Sequence, residues 1–169
     1  MLVLLILIAS VPVPDLHLSE LLRADNLASA IQRRSRLGRG ASVRIARLIK
    51  AQAKRRGIDP FLIAGLIHRE SRWDRRLASK KNHGLMQVRV SRTTNTGYTG
   101  RESLLYQPRR NIRIGVRMLA RWRKYHQRKC TGRRAHYWWA HYQWGSRPGN
   151  NGSASRVLRE YLGYINAGR

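Results

Sequence analysis

Residues 59–70, "DPFLIAGLIHRE", constrain the fold more than any other stretch of the chain. Asp59 is suited to cap a helix, and Pro60 fits the first helical position, where its missing N–H costs no hydrogen bond. The helix is expected to run from Pro60 to about Glu70. Ile63, Leu66, Ile67 and Glu70 recur at spacings of three and four and so share one face. A carboxylate therefore ends an apolar stripe, while His68, Arg69 and Arg72 point elsewhere.

The helical period continues through the rest of the chain. Ser42 is a candidate N-cap for a helix carrying Ile45, Leu48, Ile49 and Ala53, with Gly57 just past its end. Pro108 opens a helix whose apolar face holds Ile112, Gly115, Met118, Leu119 and Trp122, with its arginines mostly opposite. "AHYWWAHYQW" carries aromatics around most of a helix and is expected to lie centrally, and a last helix covers roughly Ser153 to Ile165. Residues 71–83 read as loop, and "GLMQV" begins a short element. No sustained strand alternation, internal repeat or heptad array is present. The expected class is all-α, in one domain at 41–169, preceded by a helical extension and basic linker at 15–40.

Charge narrows the partners. Thirty-five Lys and Arg face eight Asp and Glu, a formal net charge of +27. Such a field draws nucleic acid, acidic membrane surfaces or an anionic polymer such as cell-wall glycan with its peptide carboxylates. The charge is spread through every segment, which suits general anionic attraction better than a dedicated nucleic-acid face.

Residues 1–14 hold an apolar run of about eight, far short of the ~20 that span a bilayer. The run fits the centre of a signal peptide, although no Lys or Arg precedes it and no clean A-x-A site follows. The expectation is export to the periplasm or cell envelope with no transmembrane span. Cys130 is the only cysteine, so an internal disulfide is excluded and a cysteine-based zinc site is not expected, and no H-E-x-x-H occurs. No metal and no cofactor are expected.

At the end of a buried stripe Glu70 is partly desolvated, which raises its pKa and suits it to protonate a leaving glycosidic oxygen. Arg69, Arg72, Arg75 and Arg76 would pull the other way, and an ion pair at a helix end is the plain alternative. Glycosidases usually use two carboxylates. After Asp25 the acids are Asp59, Glu70, Asp74, Glu102 and Glu160. Asp59 is a cap, Asp74 follows in the loop, and Glu102 lies in a turn region, so no convincing pair emerges. A mechanism in which a single group acts first as acid and then as base is therefore to be considered beside the two-carboxylate one.

The stretch "RIARLIKAQAKRRGIDPFLIAGLIHRESRWDRRLASKKNHGLMQV", with "QPRRNIRIGVRML" and "HYQWG", resembles the catalytic core of the soluble lytic transglycosylases, which share the lysozyme-like fold of goose-type lysozyme. The likeness covers roughly Ala41 to Ile165. It implies cleavage of the β-1,4 bond between N-acetylmuramic acid and N-acetylglucosamine in peptidoglycan glycan strands. Glu70 would protonate the glycosidic oxygen, then take a proton from the muramoyl 6-hydroxyl and leave a 1,6-anhydro end. By the same resemblance Ser71, Met86 and Gln87 would line the glycan groove, and Tyr142 would help position the acid. Gln143 departs from the family's asparagine, which places its amide one methylene further out. Taken as residues alone, Met86 reads as core, Trp138, Trp139 and Trp144 as core packing, and Trp73 as the aromatic suited to a groove. A hydrolase of the same bond, a nucleic-acid binder and a wall-binding module without catalysis are the competing readings.

Overall fold

The computed structural model describes residues 24–91, 97–130, 138–146 and 152–169. The leader-like segment 1–14, the first half of the "TTNTGYTG" turn and the "TGRRAHY" stretch lie outside the described residues. Among those described, six helices surround a small antiparallel sheet, a mainly helical architecture consistent with the lysozyme-like class. They are α1 (Ala24–Arg34), α2 (Arg39–Arg56), α3 (Pro60–Ser71), α4 (Pro108–Lys129), α5 (Ala140–Trp144) and α6 (Gly152–Gly168).

Helix α3 is the centre of the molecule. Asp59 caps it by accepting from Phe61 N–H at 2.7 Å. A second hydrogen bond, from the Tyr161 hydroxyl at 2.7 Å, ties this cap to α6. Phe61 to Ile67 are buried around the whole circumference, because α6 covers one side while α2 and α1 close others. Gly65 permits the close approach of α6: a Cβ there would sit 2.8 Å from the Tyr161 backbone nitrogen. The central helix is thus α3 and not the aromatic stretch, of which α5 takes in only residues 140–144. α3 has apolar side chains on every face, whereas α5 carries His141, Tyr142 and Gln143.

Helix α2 begins at Arg39, earlier than a Ser42 cap predicts. Gly38 is the N-cap, and the Ser42 hydroxyl instead donates back to the Gly38 carbonyl at 3.2 Å from inside the helix. Gly57 ends α2 in the left-handed region, and the Arg123 guanidinium of α4 donates to the terminal carbonyls of Gly57 and Arg56 at 2.5 and 2.6 Å. A cation at a helix C-terminus complements its dipole. Helix α1 packs on α2 and α6, and its Leu27, Ala30 and Ile31 join the common core.

The segment 71–83 read as loop contains two two-residue strands, β1 (Ala78–Ser79) and β2 (Asn82–His83), and the short element begun by "GLMQV" includes a third, β3 (Val88–Arg89), in order β1-β2-β3. Strands this short leave no alternation to detect in a sequence. The β2–β3 loop, residues 84–87, is locked onto α4 by Asn111. Its side chain accepts from Met86 N–H and donates to the carbonyls of His83 and Leu105, all at 2.8 Å. Leu105 belongs to a 3₁₀ turn, Glu102–Tyr106, that precedes α4. Gly84 has φ +74 and lies against Asn111 and the Leu105 carbonyl, where any Cβ would collide. One helical turn beyond Asn111, Gly115 leaves the space that the Met86 side chain fills.

Candidate active site

Glu70 lies on the last turn of α3, half-buried. Immediately after the helix the chain reverses through two residues of positive φ, Arg72 (50°) and Trp73 (71°). This backbone is costly for side-chain-bearing residues, and strain of this kind persists only where surroundings enforce it. The Trp73 indole N–H enforces it, donating at 2.7 Å to the Tyr164 hydroxyl of α6. Trp is only a donor, so the Tyr164 proton turns to His68 Nδ1 at 2.8 Å. Burial lowers the His68 pKa, which keeps this ring neutral and able to accept. Trp73 is 4% exposed, so the aromatic expected at a groove is a core anchor. Its indole is fixed by the turn it stabilises.

The Glu70 pKa is raised, chiefly by burial; a hydrogen bond from Gln143 and the charge of Arg69 oppose the shift without overcoming it. The negative end of the α3 dipole acts in the same direction as burial. Arg72, Arg75 and Arg76 are exposed and stand in water, where their fields are screened. Burial thus outweighs the neighbouring positive charge and favours the protonated carboxyl in so basic a chain.

Helix α5 brings two groups to it. Gln143 Nε2 donates to Glu70 Oε1 at 2.6 Å. The Gln143 carbonyl oxygen is buried with no hydrogen-bond partner. A buried amide acceptor left open costs about 1–3 kcal/mol, so it stands ready for an incoming donor. The Tyr142 hydroxyl donates to the Met86 carbonyl at 2.8 Å. Burial, and then the nearby Glu70 charge, push its pKa well up, so it remains a neutral phenol. The extra methylene of Gln143 therefore does not take its amide away from the acid.

The other expected site residues sit differently. The Ser71 hydroxyl turns back to the Ile67 carbonyl at 3.2 Å in a buried position. The Met86 side chain is fully enclosed, and what it offers to the site is its backbone carbonyl. Gln87, at φ 45°, directs its amide N–H groups to the carbonyls of Leu77 and Gly84 at 3.1 and 3.0 Å and braces the loop. Asn111 and Gly115 hold this loop in place, a role visible in the sequence only as a spacing of four on one helix face.

The other loop carboxylates are engaged elsewhere. Asp74 Oδ1 accepts from Arg76 N–H at 2.8 Å, and Glu102 lies 3.6 Å from His83 Nε2. Among the described residues the influences on Glu70 are burial, Gln143 and Arg69, and no second carboxylate is among them.

A mainly helical domain with a desolvated glutamic acid at the end of its central helix is consistent with the lysozyme-like class. The family model described as the transglycosylase SLT domain matches residues 47–144, more than half of the chain, and the protein belongs to that family. The match takes in Glu70, the 84–87 loop, Asn111 and Gln143. Domains of this family act on peptidoglycan as lytic transglycosylases, the general activity that membership brings. Neither the curated proteins nor the solved structures contain a match to the chain. Among the described residues no helix is long and apolar enough to cross a membrane.

Proposed function

We propose that the protein is an exported lytic transglycosylase that cleaves the β-1,4 bond between N-acetylmuramic acid and N-acetylglucosamine with Glu70 as its only catalytic carboxyl group. The observation that carries this reading is the environment of Glu70: burial raises its pKa, Gln143 holds one oxygen, and among the described residues no second carboxylate acts on it. Because Gln143 N–H occupies Oε1, the acidic proton resides on Oε2. Oε2 gives it to the glycosidic oxygen as the bond to the muramoyl C1 breaks. The resulting carboxylate is stabilised by the same Gln143 N–H. It then takes the proton of the muramoyl 6-hydroxyl while that oxygen closes on C1. The products are a 4-hydroxyl on N-acetylglucosamine and a 1,6-anhydromuramoyl end, with Glu70 protonated again.

The open Gln143 carbonyl supports a substrate N–H or O–H contact beside the acid. Tyr142 positions the 84–87 loop, with Ser71 and Met86 supporting the wall of the groove from behind and Gln87 shaping its edge. The +27 charge favours retention on anionic wall polymers, and no nucleic acid is required to explain it. Digestion of purified peptidoglycan with mass spectrometry of the fragments tests the reading. Anhydromuramoyl ends are expected. Reducing ends would replace the transglycosylase by a hydrolase, and absence of any product from folded protein would remove the enzymatic reading.

A further inference from the structure

The site on Glu70 uses one face of α5; a second cluster of chemistry-bearing side chains lies where α5 meets the end of α4. His126 and Cys130 are one helical turn apart at the C-terminal end of α4, and His141 is the second residue of α5. His126 Nδ1 lies 3.0 Å from His141 Nε2, and Cys130 Sγ lies 3.6 Å from the same nitrogen. One ligand atom from each of the three fits within 4.8 Å of the others. We propose that His126, Cys130 and His141 bind one transition-metal ion of the zinc class, which fastens α5 to α4.

The donor set selects the ion. Two imidazoles and one thiolate suit Zn²⁺ and its neighbours, whereas Ca²⁺ and Mg²⁺ require oxygen ligands. A tetrahedral Zn²⁺, with Zn–N about 2.0–2.1 Å and Zn–S about 2.3 Å, separates its ligands by roughly 3.3–3.6 Å. The observed 3.0 and 3.6 Å lie within a few tenths of an ångström of these separations, and the His126–Cys130 pair, within 4.8 Å, closes to about 3.6 Å by side-chain rotation.

The tautomer of His141 is already set. Its Nδ1 lies 2.7 Å from the Gly145 carbonyl, which can only accept, so Nδ1 carries the proton and Nε2 presents a lone pair. A carbonyl partner on the far nitrogen is the usual way a metal-binding imidazole is oriented. The ring is held further by Trp122, stacked at 5.7 Å and 12°, and by the edge of Tyr125 at 5.4 Å. The His126 ring nitrogen and the Cys130 sulfur both face that lone pair, so an ion between them would be held by all three groups.

Lys124, Arg128 and Lys129 repel a dication, yet they are exposed and screened by solvent. His126 and Cys130 are half-buried, so the site is reachable from water, and His141 is fully buried. Gln143 follows His141 by two residues, and an ion on His141 would therefore hold the helix that supplies the Glu70 partner.

Titration of reduced, tag-free full-length protein with Co²⁺ and then Zn²⁺ tests the site. Cys130 is the only thiol, so a thiolate-to-cobalt charge-transfer band can arise from nowhere else. One equivalent of Co²⁺ is expected to produce that band on a monomer, with Zn²⁺ displacing it. Zn²⁺ should also raise Tm by several degrees and slow amide exchange in residues 140–146. Cys130→Ser should remove the band, and His126→Gln should weaken binding tenfold or more; both positions are half-buried and tolerate polar replacements. A folded, reduced chain without the band would overturn the site. So would a band that appears only with dimerisation, or unchanged affinity in both variants.

Discussion

Gln143 Nε2 donates to Glu70 Oε1 at 2.6 Å, a contact between residues 73 apart in the chain. It joins the acid on α3 to the short helix α5, and it lowers the Glu70 pKa against the larger effect of burial. Burial favours the protonated form, whereas the amide stabilises the anion that forms once the proton has left. A general acid needs both, because it must hold a proton and still release it.

Removing that amide separates the two effects. Gln143→Ala is expected to slow turnover roughly ten- to hundredfold, the equivalent of one hydrogen bond to a charged group. Without the donor the Glu70 pKa rises further, so the alkaline limb of the pH–rate profile moves to higher pH. Measurement of kcat across pH on a defined glycan strand checks this. A limb unmoved in a folded variant would show that the contact does not operate on the acid.

Glu70→Gln is expected to cut turnover by roughly a thousandfold or more, since the reacting proton is gone. Its stability should depend on pH with a definite sign. The folded-state pKa lies above the ordinary value of 4.5, so protonation stabilises the fold. That stabilisation is fully present below the unfolded pKa and is lost as pH rises through the folded one. The variant never carries the buried charge. It should therefore gain Tm relative to wild type at about pH 8 and show no such gain at about pH 4. Paired thermal melts at the two pH values read the difference directly.

The sequence makes the Asp59 cap, Pro60 at N1, Gly57 at the end of α2 and the face bearing Glu70 legible, because each follows from local backbone chemistry. The family pattern around 84–87 and 107–119 is legible too, but not the reason for it. Asn111 and Gly115 have meaning only once the loop carrying Gly84 and Met86 is docked on α4, a tertiary relationship between distant residues. Trp73 misleads for a similar reason. A tryptophan in a polar loop suggests exposure, and only the hydroxyl of Tyr164, 91 residues away, accounts for its burial. The arginines posed the opposite problem, since their pull on Glu70 depends on side-chain direction.

Asn111→Ala probes the docking of that loop. It removes three buried hydrogen bonds and leaves Met86 N–H and two carbonyls without their partner. The expected loss is roughly 2–4 kcal/mol, read as a lower denaturation midpoint at unchanged m-value. Because the Met86 carbonyl receives the Tyr142 hydroxyl, activity should fall in variant protein kept folded at low temperature. A variant as stable as wild type would mean that the loop holds its place without this clip.

Trp73→Phe distinguishes an anchor from a sugar-stacking surface. The indole N–H bond to Tyr164 is buried, and its loss with some ring volume should cost about 1–2 kcal/mol. The positive-φ turn at Arg72 and Trp73 would then be less firmly held, so kcat should fall modestly as the last turn of α3 loosens. KM for glycan fragments should stay unchanged, because a side chain 4% exposed has little surface to offer a sugar. Steady-state kinetics with a thermal melt on the same preparation separates the cases. A raised KM at unaltered Tm would return Trp73 to the groove; the expected pattern, a lowered Tm with constant KM, keeps it in the core behind Glu70.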